Sequence, residues 1–166
     1  FQPSHSRASI KNNIFKKHPE DKMFEELNYE DLDEVMERIR GTDAKETNVI
    51  IFDDQSAYLK NKETLRLFKE LIFNRRHLRT SIYFLNQTFF SVPKELRRLF
   101  SNIFVFKVSR NEMKNLFEEV VEQDHVKELM PQISKLVFDR PYQYLFINTD
   151  NQKFYKGFDR IDFAED

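Results

Sequence analysis

Val49-Ile50-Ile51-Phe52-Asp53-Asp54 is an apolar run closed by two consecutive acids. Four apolar residues without alternation are the signature of a strand buried on both faces, as in a parallel sheet. The short polar segment 42–47 precedes the run. After it the pattern expects a helix from about Asn61 to Arg75, then a strand Ile82-Tyr83-Phe84-Leu85 ending at Asn86-Gln87. A short helix after Pro93 and a strand Ile103-Phe104-Val105-Phe106 continue the series. Strand, polar tip and helix repeat, which is the order of an α/β sheet with crossover helices.

On the amino side, Phe1-Gln2-Pro3-Ser4 resembles the tail of a strand, and Ser9 to His18 places Ile10, Ile14 and Phe15 on one helical face. Asn28 opens Asn-Tyr-Glu-Asp, an N-cap with acids in the first turn; Leu32, Val35, Met36 and Ile39 follow at helical spacing up to Gly41, a natural C′ residue. On the carboxyl side the chain is expected to be helical from Arg110 to about Val137, with Asp124 capping a break. Tyr142 to Ile147 and Lys153 to Phe158 flank Asn148-Thr149-Asp150-Asn151-Gln152 and read as a β-hairpin at the edge of the sheet. No repeat or linker divides the sequence, so residues 1–166 are expected to form a single domain.

Composition narrows the chemistry. The chain has 166 residues, 40% hydrophobic and 33% charged, which suits one packed domain. No run of about 18 apolar residues exists, so no transmembrane helix is expected, and residues 1–20 have no apolar stretch of the kind a signal peptide needs. With no cysteine there are no disulfides and no thiolate metal sites, which fits an intracellular protein. Phe is 18 of 166 residues and Gly only 2, Gly41 and Gly157, so no glycine-rich phosphate loop can be written in this sequence. A chain that opens on Phe1 rather than Met is expected to be part of a longer product. The net charge is -1, yet Lys60 to Arg110 holds 12 Lys and Arg against Glu63, Glu70 and Glu95. Such a stretch is either a solvated face or a surface for the phosphates of a nucleotide or of DNA.

The two acids after Phe52 admit two readings. Asp favours turns, so Asp53-Asp54 suits a simple strand end. At the carboxyl tip of a parallel strand, where ligands bind in open α/β sheets, one carboxylate can hold magnesium and its neighbour can polarise an attacking water. Asn86-Gln87, ending the next strand, would stand beside the acids if the two strands adjoin. Asn74-Arg75-Arg76-His77-Leu78-Arg79 and Pro93-Lys94-Glu95-Leu96-Arg97-Arg98 supply arginines that either end surface helices or stabilise transition-state charge. The phenylalanines from Phe68 to Phe106 are expected in the core rather than on a base-stacking surface.

Taken in order, Val49 to Asp54, Asn74 to His77, Ser81 to Gln87, Val92 to Arg97 and Ile103 to Phe106 resemble the virion DNA-packaging ATPases of poxviruses, giant viruses and related large DNA viruses, within the FtsK/HerA superfamily. Tyr144 to Ile147 and Lys153 to Tyr155 resemble the closing hairpin of the same proteins, and Phe1 to Ser4 their second core strand. The resemblance implies a RecA-like P-loop core with a mostly parallel central sheet, whose first strand and Walker A loop are absent from this sequence. It implies ATP and Mg²⁺ as cofactors and a ring, expected to be a hexamer, that pumps double-stranded DNA into a capsid. Capsid or portal-vertex proteins would be its partners, in the virion or the viral factory.

By the same resemblance Asp53 is the magnesium residue and Asp54 the catalytic carboxylate. Gln87 is the sensor, and Arg76 or Arg97 is a finger reaching the neighbouring subunit; Asn86, from its place beside Gln87 at the strand tip, is expected on the nucleotide. The alternatives are a non-catalytic α/β binding module and another P-loop motor, such as a helicase or a terminase-like enzyme.

Overall fold

A computed structural model describes residues 1–163. Backbone contacts divide the chain into two compact units, Phe1–Arg97 and Arg98–Asp166. Among the described residues no helix is long and apolar enough to cross a membrane.

The first unit contains α1 (Ser4–Ser9), α2 (Tyr29–Arg40), β1 (Asn48–Asp53), α3 (Lys62–Asn74), β2 (Thr80–Leu85) and α4 (Lys94–Arg97). Strands β1 and β2 pair in parallel, Asn48 opposite Thr80 through Asp53 opposite Leu85. On the other side of β1, the Phe1 amino group donates to the Ile51 carbonyl (2.9 Å) and Asp53 N–H to the Phe1 carbonyl (2.9 Å), in the manner of a parallel neighbour. The strand that carries the acids is therefore flanked on both edges.

Local chemistry sets the ends of the long helices. The Asn28 side-chain Oδ1 accepts from Asp31 N–H (2.8 Å) to start α2, and Asn61 Oδ1 accepts from the Glu63 (2.9 Å) and Thr64 (3.1 Å) N–H groups to start α3. Phe68 of α3 covers one face of the strands, with its ring centroid 4.9 Å from Phe52 and 5.5 Å from Phe84. Full burial of a ring such as Phe52 or Phe68 contributes about 1.5–3 kcal/mol.

Three expectations for this unit are corrected. First, β1 alternates: Ile50 and Phe52 are buried, whereas Val49 is 60% exposed. Helices cover one face of the two-stranded sheet, and Val49 and Tyr83 lie on the face left open among the described residues. Second, Ser9 to His18 is not helical. The short helix is α1, and residues 10–18 run through turns in which Asn13 Oδ1 accepts from Phe15 N–H (2.9 Å), a local bond that competes with the helical ladder. Ile10 and Ile14 are exposed there. Third, Gly41 is the C-cap of α2 with φ −78°, so no left-handed residue closes that helix.

The second unit contains β3 (Asn102–Phe106), α5 (Arg110–Val120), α6 (Asp124–Glu128), α7 (Met130–Val137), β4 (Tyr144–Asn148), β5 (Lys153–Lys156) and β6 (Asp159–Ile161). Its sheet has the order β3-β4-β5-β6 and is antiparallel throughout. This corrects the expectation of a mostly parallel sheet: β1 and β2 are the parallel pair, and β3 runs against β4. Between β4, β5 and β6 the reason is the connections, turns too short for a crossover, whereas β3 meets β4 antiparallel although three helices join them. Strand β5 does not continue to Phe158, because Gly157 at φ 61° turns the chain into a tight hairpin and adds β6. The edges of the sheet are thus β3 and β6, and both β4 and β5 lie inside.

The helical stretch is three helices, with Gln123 as the N-cap of α6 and Asp124 its first residue, paired with Lys127 at 2.9 Å. Ile103, Val105, Leu145, Ile147 and Phe154 are buried on one face of this sheet, where Phe154 meets Phe117 of α5. The other face carries a stacked row, Phe104 to Phe146 at 4.7 Å and Phe146 to Tyr155 at 4.9 Å. Phe104 and Phe106 are exposed on it, so the aromatic residues are not all core as expected.

Candidate functional site

Parallel pairing puts the carboxyl ends of β1 and β2 side by side, as the apolar runs alone could not guarantee. Asp54 N–H donates to the Leu85 carbonyl (2.9 Å), one step beyond the last strand pair. Across this junction Gln87 Nε2 donates to Asp54 Oδ2 at 3.2 Å. The structure therefore brings Asp53, Asp54, Asn86 and Gln87 to one ledge of the first unit. Asp54 lies at φ 54°, a left-handed conformation that Asp tolerates better than most residues and that recurs where a site holds its backbone under strain.

Asp53 follows Val49 and Ile51 in strand alternation and so belongs to the open face. Its Oδ2 accepts from Gln2 Nε2 at 2.9 Å, while Gln2 Oε1 is buried with no hydrogen-bond partner among the described residues. The Asn86 side chain is more telling. Both its Oδ1 and its Nδ2 are buried and unpartnered among the described residues. A buried polar atom without a partner costs about 1–3 kcal/mol, so such atoms are rare unless a ligand or water meets them.

Sequence reading missed Gln55, which is 0% exposed. Its Oε1 accepts from Leu27 N–H (2.7 Å), and its Nε2 donates to the carbonyls of Asp53 (3.0 Å) and Glu25 (3.3 Å). Tyr58, on the 3₁₀ turn Ser56–Lys60, supports the same segment: its hydroxyl pKa is raised, chiefly by its hydrogen bond to Glu26. No sequence pattern distinguishes Gln55 from a turn residue; only the burial of its amide reveals the clamp. Gln55→Leu is expected to destabilise the protein by about 2–4 kcal/mol, because a buried N–H and two carbonyls lose their partners. Urea unfolding at equilibrium measures this, and a loss below about 0.5 kcal/mol would refute the clamp.

The arginines separate. Arg76 is exposed and follows α3, next to the amino end of β2. With about 3.3 Å per residue, the six-residue strand sets it roughly 15–20 Å from the acids of its own chain. Its neighbours are committed locally, Arg75 to the Ile72 carbonyl (2.9 Å) and Arg79 to the carbonyls of Glu46 (3.1 Å) and Asp43 (3.2 Å). Arg97 is only 9% exposed and turned inward, donating from Nη1 to the Val92 carbonyl at 2.7 Å. The sequence expected either arginine to reach outward; in this structure Arg76 is the exposed one.

A cavity of about 590 Å³ lies along β1, bounded by Phe1, Phe24, Val35, Ile39 and Val49, and none of the four ledge residues lines it. The ledge itself is open. Among the described residues no three His, Asp or Glu side chains converge as a metal cage. Mg²⁺ needs no such cage, since it is held by one or two carboxylates together with phosphate oxygens and waters, and Asp53 and Asp54 provide that donor chemistry.

Comparison with known proteins adds one match. No curated protein and no solved structure matches the chain. The model of the family described as "Poxvirus A32 protein" matches residues 12–162, a span that takes in both acids, both amides and both arginines. The chain belongs to that family, the virion DNA-packaging ATPases of poxviruses.

Proposed function

We propose that this chain is the magnesium-and-sensor part of an ATP-driven motor that packages double-stranded viral DNA. The observation that carries the proposal is the ledge, where the Asp53-Asp54 tip adjoins the Asn86-Gln87 tip through the Gln87 to Asp54 hydrogen bond. Bound MgATP would supply an electrophilic phosphoryl group with its charge screened by the metal ion, and Asp53 would hold that ion. Asp54 orients and polarises the attacking water, and Gln87, bonded to Asp54, contacts the same water or the γ-phosphate. The unpartnered Asn86 amide is satisfied by phosphate oxygen and solvent. Arg76, exposed and remote from its own ledge, serves the nucleotide of a neighbouring subunit.

In this reading the two units belong to one RecA-like P-loop core, and the phosphate-binding loop comes from residues outside this sequence, because two isolated glycines cannot form it. The assembled form is a ring, a hexamer in the proposal, with double-stranded DNA as cargo and capsid or portal-vertex proteins as its dock, in the virion or viral factory.

The test uses the polypeptide that unites this chain with its phosphate-binding loop. Wild-type protein is expected to hydrolyse ATP with Mg²⁺, and Asp53→Asn to weaken Mg²⁺-dependent binding of a fluorescent ATP analogue on the order of 10- to 100-fold. A wild type that binds nucleotide without hydrolysing it, or does neither, would favour the non-catalytic binding module.

A further inference from the structure

Gln87 is exposed, and the side-chain hydrogen bond it makes to the ledge is the one to Asp54. One hydrogen bond at 3.2 Å cannot by itself hold a flexible side chain, so the backbone on both sides must be fixed. Before Gln87 that is done by β2. After it the chain enters a compact turn: Phe90 N–H donates to Thr88 Oγ1 (3.3 Å), Ser91 Oγ donates to the Thr88 carbonyl (2.8 Å), and Val92 N–H to the Phe89 carbonyl (3.3 Å).

Arg97 fills the inside of this turn. Its Nη1 donates to the Val92 carbonyl (2.7 Å) and reaches the Phe90 carbonyl (3.5 Å), and its guanidinium carbon lies 5.2 Å from the Phe89 ring centroid and 4.9 Å from that of Phe90. A planar cation can meet two carbonyls and two ring faces at once, which a lysine ammonium cannot. The platform beneath is firm. Leu96 and Val92 are buried, and Lys69 of α3 pairs with Glu95 of α4 at 2.7 Å.

We propose that Arg97 is a positioning residue acting within its own chain: its guanidinium, lying against both Phe89 and Phe90, fixes the turn that follows Gln87 and so holds Gln87 against Asp54. The inference rests on the ATPase reading above for its kinetic consequence. It assigns Arg97 a role opposite to a finger, since its group serves the site of the same subunit.

Arg97→Lys and Phe90→Leu are made in the complete motor, the second because it loosens the turn without leaving a charge buried. Arg97→Lys is expected to lower kcat roughly 10- to 100-fold at nearly unchanged KM for MgATP, the scale of a misplaced catalytic group. Phe90→Leu should lower it in the same direction. In this chain without nucleotide, both substitutions should shift the NMR resonances of the Gln87 side-chain amide, while those of the Gln55 clamp stay in place.

Mixing decides cis from trans. Subunits carrying Arg97→Lys combined with Asp54→Asn subunits should show no recovery of hydrolysis, because no site then has both groups from one chain. Recovery on mixing, or unmoved Gln87 amide resonances in both variants, would overturn the proposal. Full turnover in Asp54→Asn would instead remove Asp54 as the catalytic carboxylate, and a wild type that does not hydrolyse ATP would remove the ATPase reading itself, whatever Arg97 does.

Discussion

Arg76→Ala is expected to lower hydrolysis by about 10³- to 10⁵-fold in the complete motor while each subunit still folds and binds ATP. That is the contribution of an arginine supplied across a subunit boundary, which meets charge that develops only in the transition state. Two structural facts motivate it. Arg76 is exposed, in contrast to the inward Arg97, and it lies at the end of β2 opposite to Gln87, too far to serve its own acids. Folding should be little affected, since replacing an exposed side chain typically changes stability by no more than about 0.5 kcal/mol. Mixing Arg76→Ala subunits with Asp54→Asn subunits should restore part of the activity, because some interfaces then pair an intact carboxylate site with an intact arginine. Assembly is confirmed by sedimentation across mixing ratios. If no ratio restores turnover, Arg76 has no role in trans and the ring-motor proposal loses its finger.

Asp54→Asn is the second large effect, at least about 100-fold in turnover with ATP binding nearly intact, since a positioned base contributes about 10²- to 10⁴-fold. The substitution is well suited to the geometry. Asp54 sits at φ 54°, where Asn is as comfortable as Asp, and the Asn oxygen can still accept the Gln87 amide. Only the negative charge is lost. Alanine there would add backbone strain of about 1–2 kcal/mol and confuse the result. Single-turnover measurements at saturating MgATP separate the chemical step from binding, and an Asn variant with wild-type turnover would show that Asp54 is turn chemistry after all.

The two arginines illustrate how far residue type alone can go. In sequence, Arg76 and Arg97 look equivalent, each in a basic cluster flanking the strand that ends at Gln87. Burial tells them apart, because the Phe89 and Phe90 rings and the Val92 carbonyl create a niche that only the folded turn assembles. Asn86 and Gln55 are a similar pair. Both are amides next to a strand tip, yet Gln55 has its polar atoms matched and Asn86 has both unmatched among the described residues.

What the sequence by itself determined is local. Asn28 as a cap, the long helices α2 and α3, the strands ending at Asp53 and before Asn86, and the absence of a glycine loop follow from periodicity, capping chemistry and composition. These depend on neighbours within one or two turns of chain. Strand direction and coverage were decided only by the tertiary structure: β3 pairs antiparallel with β4, β6 forms beyond Gly157, and β1 keeps one face open although Val49 to Phe52 are all apolar. An apolar run states that burial is favourable; it does not state which partner provides it. Pairing and coverage are set by contacts between residues distant in sequence, and the pairing of β1 with β2 is what places Gln87 on Asp54.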